Sequence, residues 1–551
     1  MSTHTGPDLA DVTAALTGPG GAFELVEERV LGVPTPVFRN RARSLAEVLA
    51  ASGTVTGADY LVTGTRRIGF AEHAATVAAL ATALREDYGI GKGDRVAIVA
   101  KNCPEWIIAF WATVSVGAIA TGFNAWWSPR EIGFALRHCT PSLVLADEER
   151  AAGCGEQAAG IPVLGIEGDL PGLVAAHTGA PLPACDIAED DPATILYTSG
   201  TSGTPKGVVH SHRNLCAVIE YHRFNDAIAT AAAGGSSAAR RYLLTSPLFH
   251  IASLHNLAVP RLATGSTVVL HRGAFDAGAV LRLIEQERVT NWGAVPTMAA
   301  RVLEHGERHG NLTGYDLSSL TSFALASAPS SARFKDRLRA ALPSVATTLV
   351  DSYGLTESST GVSVASPRDL AESPGTLGRP VIGVELEIRD EHGRRLPDDT
   401  EGEICVSGQY VMLGYWNDEP ATAAALDEAR WLRTGDIGVL SGGRLRLTAR
   451  RSDLIIRGGE NVYPAEVEAV IAEHPGVREC VVLGADDPDY GQRVVAVVVT
   501  REGTGEVTER QLHDFTSANL AYYKVPSVWR LTSTPLPRNA TGKVIRDAVL
   551  R

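Results

Sequence analysis

At 551 residues the chain is too long for one hydrophobic core, so two or three domains are expected. Its 45% hydrophobic content suits a globular protein, and a formal charge of -13 without a dense basic stretch argues against nucleic acid or an anionic membrane as the main partner. The seven cysteines are scattered, odd in number and without metal-ligand spacing, which suits a reducing cytoplasm and leaves small molecules as the expected partners.

The first residues, "MSTHTGPDLADV", have neither a basic segment nor an apolar core and do not read as a secretory signal. From about residue 60 to 300, short apolar strands alternate with amphipathic helices. "RVAIVA" precedes a helix expected over 104–118, and "STVVLH" precedes "DAGAVLRLIEQERV" and then "TNWGAVPT". This βαβ order implies a largely parallel sheet flanked by helices, with ligand sites beyond the carboxyl ends of strands. The run from Trp106 to Phe123 reaches the length of a membrane span. Pro104 and Glu105 at its start and Gly117 within it favour a buried core helix instead, so no membrane span is expected. The Ala/Gly/Ser-rich stretch from Ala227 to Arg240 reads as a mobile surface excursion.

Between "ATILYT" and "GVVHSH", both strand-like, lies the stretch "SGTSGTPK". A flexible linker would not join two buried strands. Backbone N–H groups in such a Gly/Ser/Thr turn form an anion-binding nest. The hydroxyls of Thr198, Ser199, Thr201, Ser202 and Thr204 add donors, and Lys206 adds a charge, which together suit a polyphosphate. The Walker A pattern fails, because Lys206 is followed by Gly207 and the exit is a strand. Only six of the 50 basic residues are lysines: Lys92, Lys101, Lys206, Lys335, Lys524 and Lys543. Lysine retained against such a bias points to places where a compact ammonium is needed, although Lys92 and Lys335 read as chance survivors.

After "GGRLRLTARRSD" the texture changes. "YPAEVEAVIAEH" is a helix with Pro464 at its first position, followed by strands "ECVVLGA" and "RVVAVVVT", another helix and "SVWRLTS". The expected fold is therefore α/β, with a large domain over 1–449 built on mostly parallel sheets flanked by helices, and a small α+β domain over 450–551.

Five stretches in order resemble the signatures of the adenylate-forming superfamily of acyl-CoA synthetases, luciferases and nonribosomal adenylation domains. They are "YTSGTSGTPKG", "DSYGLTESS", "RTGDIG", "TARRSDLIIRGGENVYPAEVE" and "LPRNATGKVIRDAV". The resemblance covers roughly residues 40 to 551. It implies that the loop from Thr198 to Thr204, including Gly200 and Gly203, cradles the ATP phosphates with Lys206. It further implies that Tyr353 stacks on adenine, Thr356 bonds the α-phosphate, and Glu357 with Thr201 holds Mg²⁺. Asp436 and Arg450 would meet the ribose, while Gly458, Gly459 and Lys524 would lie near a CoA arm. Lys543 would be the adenylation lysine, on a domain that swings about a hinge at Ser452, where relatives carry Asp or Lys.

An acid-binding pocket is implied from Gly293, Ala326, Ser327, Ala328, Gly354 and Thr360, with His250 near the acyl carboxylate. Relatives that activate amino acids have an aspartate at His250, which counts against an amino acid. Side chains at Ala326 and Ser327, where relatives have glycine, narrow the slot and favour a short or aromatic acid. The implied activity is ATP-dependent adenylation of an acid with release of pyrophosphate, then transfer to a thiol, that of CoA or of a carrier-protein phosphopantetheine. Alternatives are an unusual oxyacid such as nitrite, for diazotising an aryl amine, and a catalytically silent nucleotide-binding regulator.

Overall fold

The computed structural model describes residues 9–198, 205–234, 239–328, 330–450, 453–457, 460–487, 490–501, 507–520, 522–539 and 544–549. The parallel strands form two sheets rather than one. In the first, seven strands run in the order Gly414–Tyr415, Lys206–Ser211, Pro192–Thr198, Ile119–Gly122, Arg95–Val99, Leu143–Ala146 and Val163–Gly165. The last five pair in parallel, and Lys206–Ser211 returns antiparallel to Pro192–Thr198. The second sheet has nine strands, whose centre places Asn291–Ala294, Ser322–Leu325 and Val350–Gly354 side by side in parallel. Strand Asp59–Thr63 joins this second sheet beside Thr267–Leu270, so the chain leaves it for the first sheet and comes back.

Near-continuous apolar strands such as "RVAIV" and "LVLA" belong to sheets covered on both faces. The largest core cluster lies between the two sheets and includes Ile98, Leu145 and Leu196 from one and Tyr60, Leu244 and Val268 from the other. Helices Leu45–Ser52, Phe70–Glu86 and Pro104–Ser115 fill the gap. The last is buried at every position but Glu105 and ends earlier than its apolar run suggests. Gly117 turns the chain with φ at +76°, and the remaining residues enter the strand Ile119–Gly122. None of the described helices is long and apolar enough to cross a membrane. The stretch after Ala227 also differs from expectation, because helix His212–Ala232 continues through its first half, as its alanines favour. Residues 235–238 lie outside the described residues.

A four-stranded antiparallel sheet, Val384–Arg389, Glu401–Gly408, Leu432–Ser441 and Arg444–Arg450, follows the second parallel sheet. Beyond it stands the separate C-terminal domain. Strands Val477–Asp487 and Gly491–Thr500 pair along most of their length, and Val528–Thr532 runs parallel to the second of them. Helices Pro464–Glu473 and Glu509–Asn519 accompany this sheet, with Val467, Ile471 and Leu512 packed into its core cluster.

Candidate active site

The phosphate-loop stretch is anchored by a hairpin. Lys206 stands directly opposite Thr198, so both ends of the loop are fixed by ladder pairing, while residues 199–204 lie outside the described residues. Gly207 follows, and a Cβ there would lie 2.9 Å from Ile195 Cγ2 and 3.4 Å from Trp416 Cβ. Its bareness lets the short strand Gly414–Tyr415 dock on the hairpin, with Trp416 N donating to Gly207 O at 2.7 Å. That docking sets the Lys206 ammonium 4.8 Å from the centre of the Tyr415 ring. The Tyr415 hydroxyl donates in turn to Glu357 Oε1 at 2.9 Å. Burial, and then the Glu357 carboxylate, push this hydroxyl well above its ordinary pKa, so it stays a donor at neutral pH. The lysine of the first motif and the glutamate of the second are thus joined through one tyrosine ring.

Tyr353 and Asp436 also meet. Both are buried, and the tyrosine hydroxyl donates to Asp436 Oδ2 at 2.6 Å. Asp436 faces Arg450 across a strand pair. Around Thr356 a pair of buried histidines sets the backbone: His210 Nε2 donates to Thr356 O at 2.7 Å, and its ring lies 5.1 Å from that of His255. His255 Nδ1 meets Ser359 Oγ at 3.0 Å, and its Nε2 meets Thr194 Oγ1 at 3.3 Å. Burial holds His210 down at about 4 and His255 well below the ordinary imidazole value, so both are neutral braces at physiological pH. The motifs do not reveal His210, His255 or Tyr415. The one sequence hint is that His210 shares a strand face with Lys206 and Val208, a polar residue at an inward position.

Three parallel strand ends outline the expected acid slot. Gly293 lies on strand Asn291–Ala294, where a Cβ would meet nothing within 4 Å. Ala326, Ser327 and Ala328 follow Ser322–Leu325, and Gly354 ends Val350–Gly354. Ser327 has φ +71°, a left-handed conformation that accounts for the preference for glycine at this place. At Gly354 a Cβ would lie 2.5 Å from Thr360 O, so no side chain fits. Thr360 itself is fully buried, with its hydroxyl turned to Asn256 Oδ1. His250 sits in the turn before helical residues Leu254–Ala258, its ring 4.6 Å from Phe249, which packs on the half-exposed Trp126.

In the C-terminal domain the described residues include only some of the expected ones. Lys524 Nζ bonds both carboxylate oxygens of Glu466, at 2.7 and 2.8 Å. Ser452, Gly458, Gly459 and Lys543 lie outside the described residues. Asp453, next to the expected hinge, pairs with Arg546 at 3.3 Å. One expectation is overturned: Lys335 is no idle survivor but is buried, with its ammonium 2.6 Å from Asp351 Oδ2.

Comparison with known proteins places the chain among enzymes of known kind. The family described as AMP-binding enzyme matches residues 49–416, and the one described as AMP-binding enzyme C-terminal domain matches residues 466–543. A feruloyl-CoA synthase of Amycolatopsis sp is 35% identical over 487 residues, 88% of this chain and 93% of its own. A 2-succinylbenzoate–CoA ligase of Bacillus licheniformis is 34% identical over 466 residues, 84% of this chain and 90% of its own. Among solved structures, the o-succinylbenzoate CoA synthetase of Bacillus subtilis in complex with its acyl-adenylate intermediate has a TM-score of 0.79 at 30% identity, covering 92% of this chain and 98% of that one. ATP-bound MatB from Rhodopseudomonas palustris has a TM-score of 0.80 at 28% identity, covering 91% and 98%. In sequence and fold alike, the chain belongs to the AMP-binding enzyme family and is an adenylate-forming ligase.

Proposed function

We propose that the protein converts a short or aromatic carboxylic acid into its CoA thioester. The observation that carries this reading is the convergence of Lys206, Tyr415 and Glu357 beside the Tyr353–Asp436 pair. In the first half-reaction a carboxylate oxygen attacks the α-phosphorus of ATP, the bond to the β-phosphate breaks, and pyrophosphate leaves. In the second, the CoA sulfur attacks the acyl carbon, the bond to AMP breaks, and the thiol proton passes to solvent. No enzyme nucleophile is needed, so the residues act by alignment and by stabilising charge.

Lys206 meets the charge that builds on the leaving pyrophosphate, held by the hairpin that fixes its backbone. Asp436 takes the ribose hydroxyls and the Tyr353 ring covers the adenine. The Thr356 hydroxyl bonds the α-phosphate, its backbone braced by His210. Glu357 presents a hard carboxylate oxygen, the donor that Mg²⁺ takes along with substrate phosphates. Bound there, Mg²⁺ supplies charge neutralisation along the polyphosphate. Lys543 bridges the substrate carboxylate and the α-phosphate during adenylation, then withdraws as the domain over 450–551 turns. The side chains at Ala326 and Ser327 narrow the slot, and a relative named feruloyl-CoA synthase supports an aromatic acid.

The reading is tested with aryl, fatty and inorganic acids, assayed for pyrophosphate release with and without CoA and by mass for the acyl-CoA product. An aryl or short-chain acyl-CoA is expected. A carrier-protein thioester or a diazotised amine formed in its place overturns the choice of acceptor or acid. Lys543→Ala should lose at least ~100-fold in adenylate formation, the scale of one key transition-state contact, while still thiolysing supplied acyl-AMP. Equal loss in both halves contradicts the turning domain.

A further inference from the structure

Helix Ala332–Ala341 buries two side chains, Leu338 and, unexpectedly, Lys335. The Lys335 and Asp351 side chains are both 3% exposed and stand 2.6 Å apart. Ser330 joins them: its hydroxyl donates to Asp351 Oδ2 at 3.0 Å, and its carbonyl accepts from Lys335 Nζ at 3.2 Å. A second tie lies alongside, from Ser352 Oγ to Leu325 O at 3.2 Å. Asp351 is on strand Val350–Gly354, two residues before Tyr353, and Ser330 follows the Ala326–Ala328 segment. The two walls of the expected acid slot are therefore clamped through one buried ion pair.

Burying two charges is costly, and well-packed apolar residues of similar volume would be at least as stabilising, so stability alone is a weak reason to keep such a pair. In a chain with six lysines among 50 basic residues, a lysine at a fully enclosed position points to a need for a compact ammonium with several donors. The neighbouring Ser327, held in a left-handed conformation, marks the same segment as one whose backbone path is imposed.

We propose that Lys335 is a positioning residue for acid binding: paired with Asp351 and sharing Ser330, it fixes the width of the slot between Ala326–Ala328 and Gly354, and so selects the acid. This rests on the reading above that the acid lies between those segments. It touches neither the acid nor ATP, and acts by holding the walls that do.

The test compares Lys335→Met, the double variant Lys335→Met with Asp351→Leu, and Ser330→Ala. Benzoate, ferulate and octanoate serve as probes, with melting temperature and the KM values for acid and MgATP as readouts. Lys335→Met leaves a buried carboxylate unpaired and should lower the melting temperature, which the double variant should largely regain. Both should raise the KM for the preferred acid roughly 10-fold, the scale of a sub-ångström misplacement, and shift selectivity toward the wider acids. The KM for MgATP should stay within about twofold. Ser330→Ala should move acid KM and selectivity in the same direction by less, and it decides alone if neither lysine variant folds. Unchanged acid KM and selectivity in the folded variants overturn the proposal, as do KM values for acid and MgATP that rise together with falling stability. A wild type that releases no pyrophosphate with any acid overturns the underlying reading instead.

Discussion

Tyr415 couples Lys206 and Glu357, the two charged residues of the proposed phosphate site, so its hydroxyl can be removed without removing its ring. Tyr415→Phe should keep the fold and the cation–π contact with Lys206 but release Glu357. Loss of a hydrogen bond to a charged acceptor is worth about 1.5–3 kcal/mol, so kcat should fall on the order of 10-fold, with the demand for Mg²⁺ rising. Lys206→Met should cost more, roughly 100-fold or beyond, and Lys206→Arg should not restore it, because a guanidinium does not reproduce the point charge. Steady-state kinetics against Mg²⁺ concentration check all three. Lys206, Glu357, Tyr353 and Asp436 are legible in the sequence because each sits in a short stretch whose chemistry suits a nucleotide. Tyr415 and His210 are not, because their meaning lies in partners 58 and 146 residues away in the chain. Lys335 is misread for the same reason: nothing local marks Asp351 as its partner.

At the scale of elements, the walls of the proposed acid slot are strand ends, and Ser327 carries a backbone cost that glycine would not. Ser327→Gly should relieve about 1 kcal/mol of left-handed strain and remove a side chain from the slot. The expected outcome is unchanged or slightly raised melting temperature, with kcat/KM improved for wider acids relative to narrow ones. A loss for every acid alike would place Ser327 elsewhere. Element type is legible wherever the apolar period is clean, as in helix Ala277–Gln286 and strand Arg95–Val99. It is less so for the run from Trp106 to Phe123, where period alone cannot show that Gly117 ends a helix and begins a strand. The division into two parallel sheets is hidden as well. Asp59–Thr63 pairs with Thr267–Leu270, a partner about 200 residues on, and no local pattern announces it.

For the whole molecule, buried neutral histidines are one source of acid lability. His73 is fully buried beside Tyr60, and burial alone pushes it down to about 3 from an ordinary 6.5. In that window the unfolded chain binds a proton that the folded one does not. Its contribution is therefore complete above pH 6.5 and is lost as pH falls toward 3, at up to about 1.4 kcal/mol per pH unit. His73→Leu should move the acid-unfolding midpoint to lower pH, and a midpoint that stays fixed contradicts this assignment. The small domain meets the large one through pairs such as Arg478 with Glu304 at 3.6 Å and Arg501 with Glu307 at 3.7 Å. Such half-exposed pairs are worth under about 1 kcal/mol each, a weak tie consistent with the proposed turning of the small domain.

Adenylation of an acid at the proposed site of Lys206, Glu357 and Asp436 is the central step, and exchange of labelled pyrophosphate into ATP measures it alone. Exchange should appear with MgATP only when an acid is present, be greatest with a short or aromatic acid, and fall to background in Lys206→Met. No exchange with any acid, or exchange indifferent to acid, would contradict it.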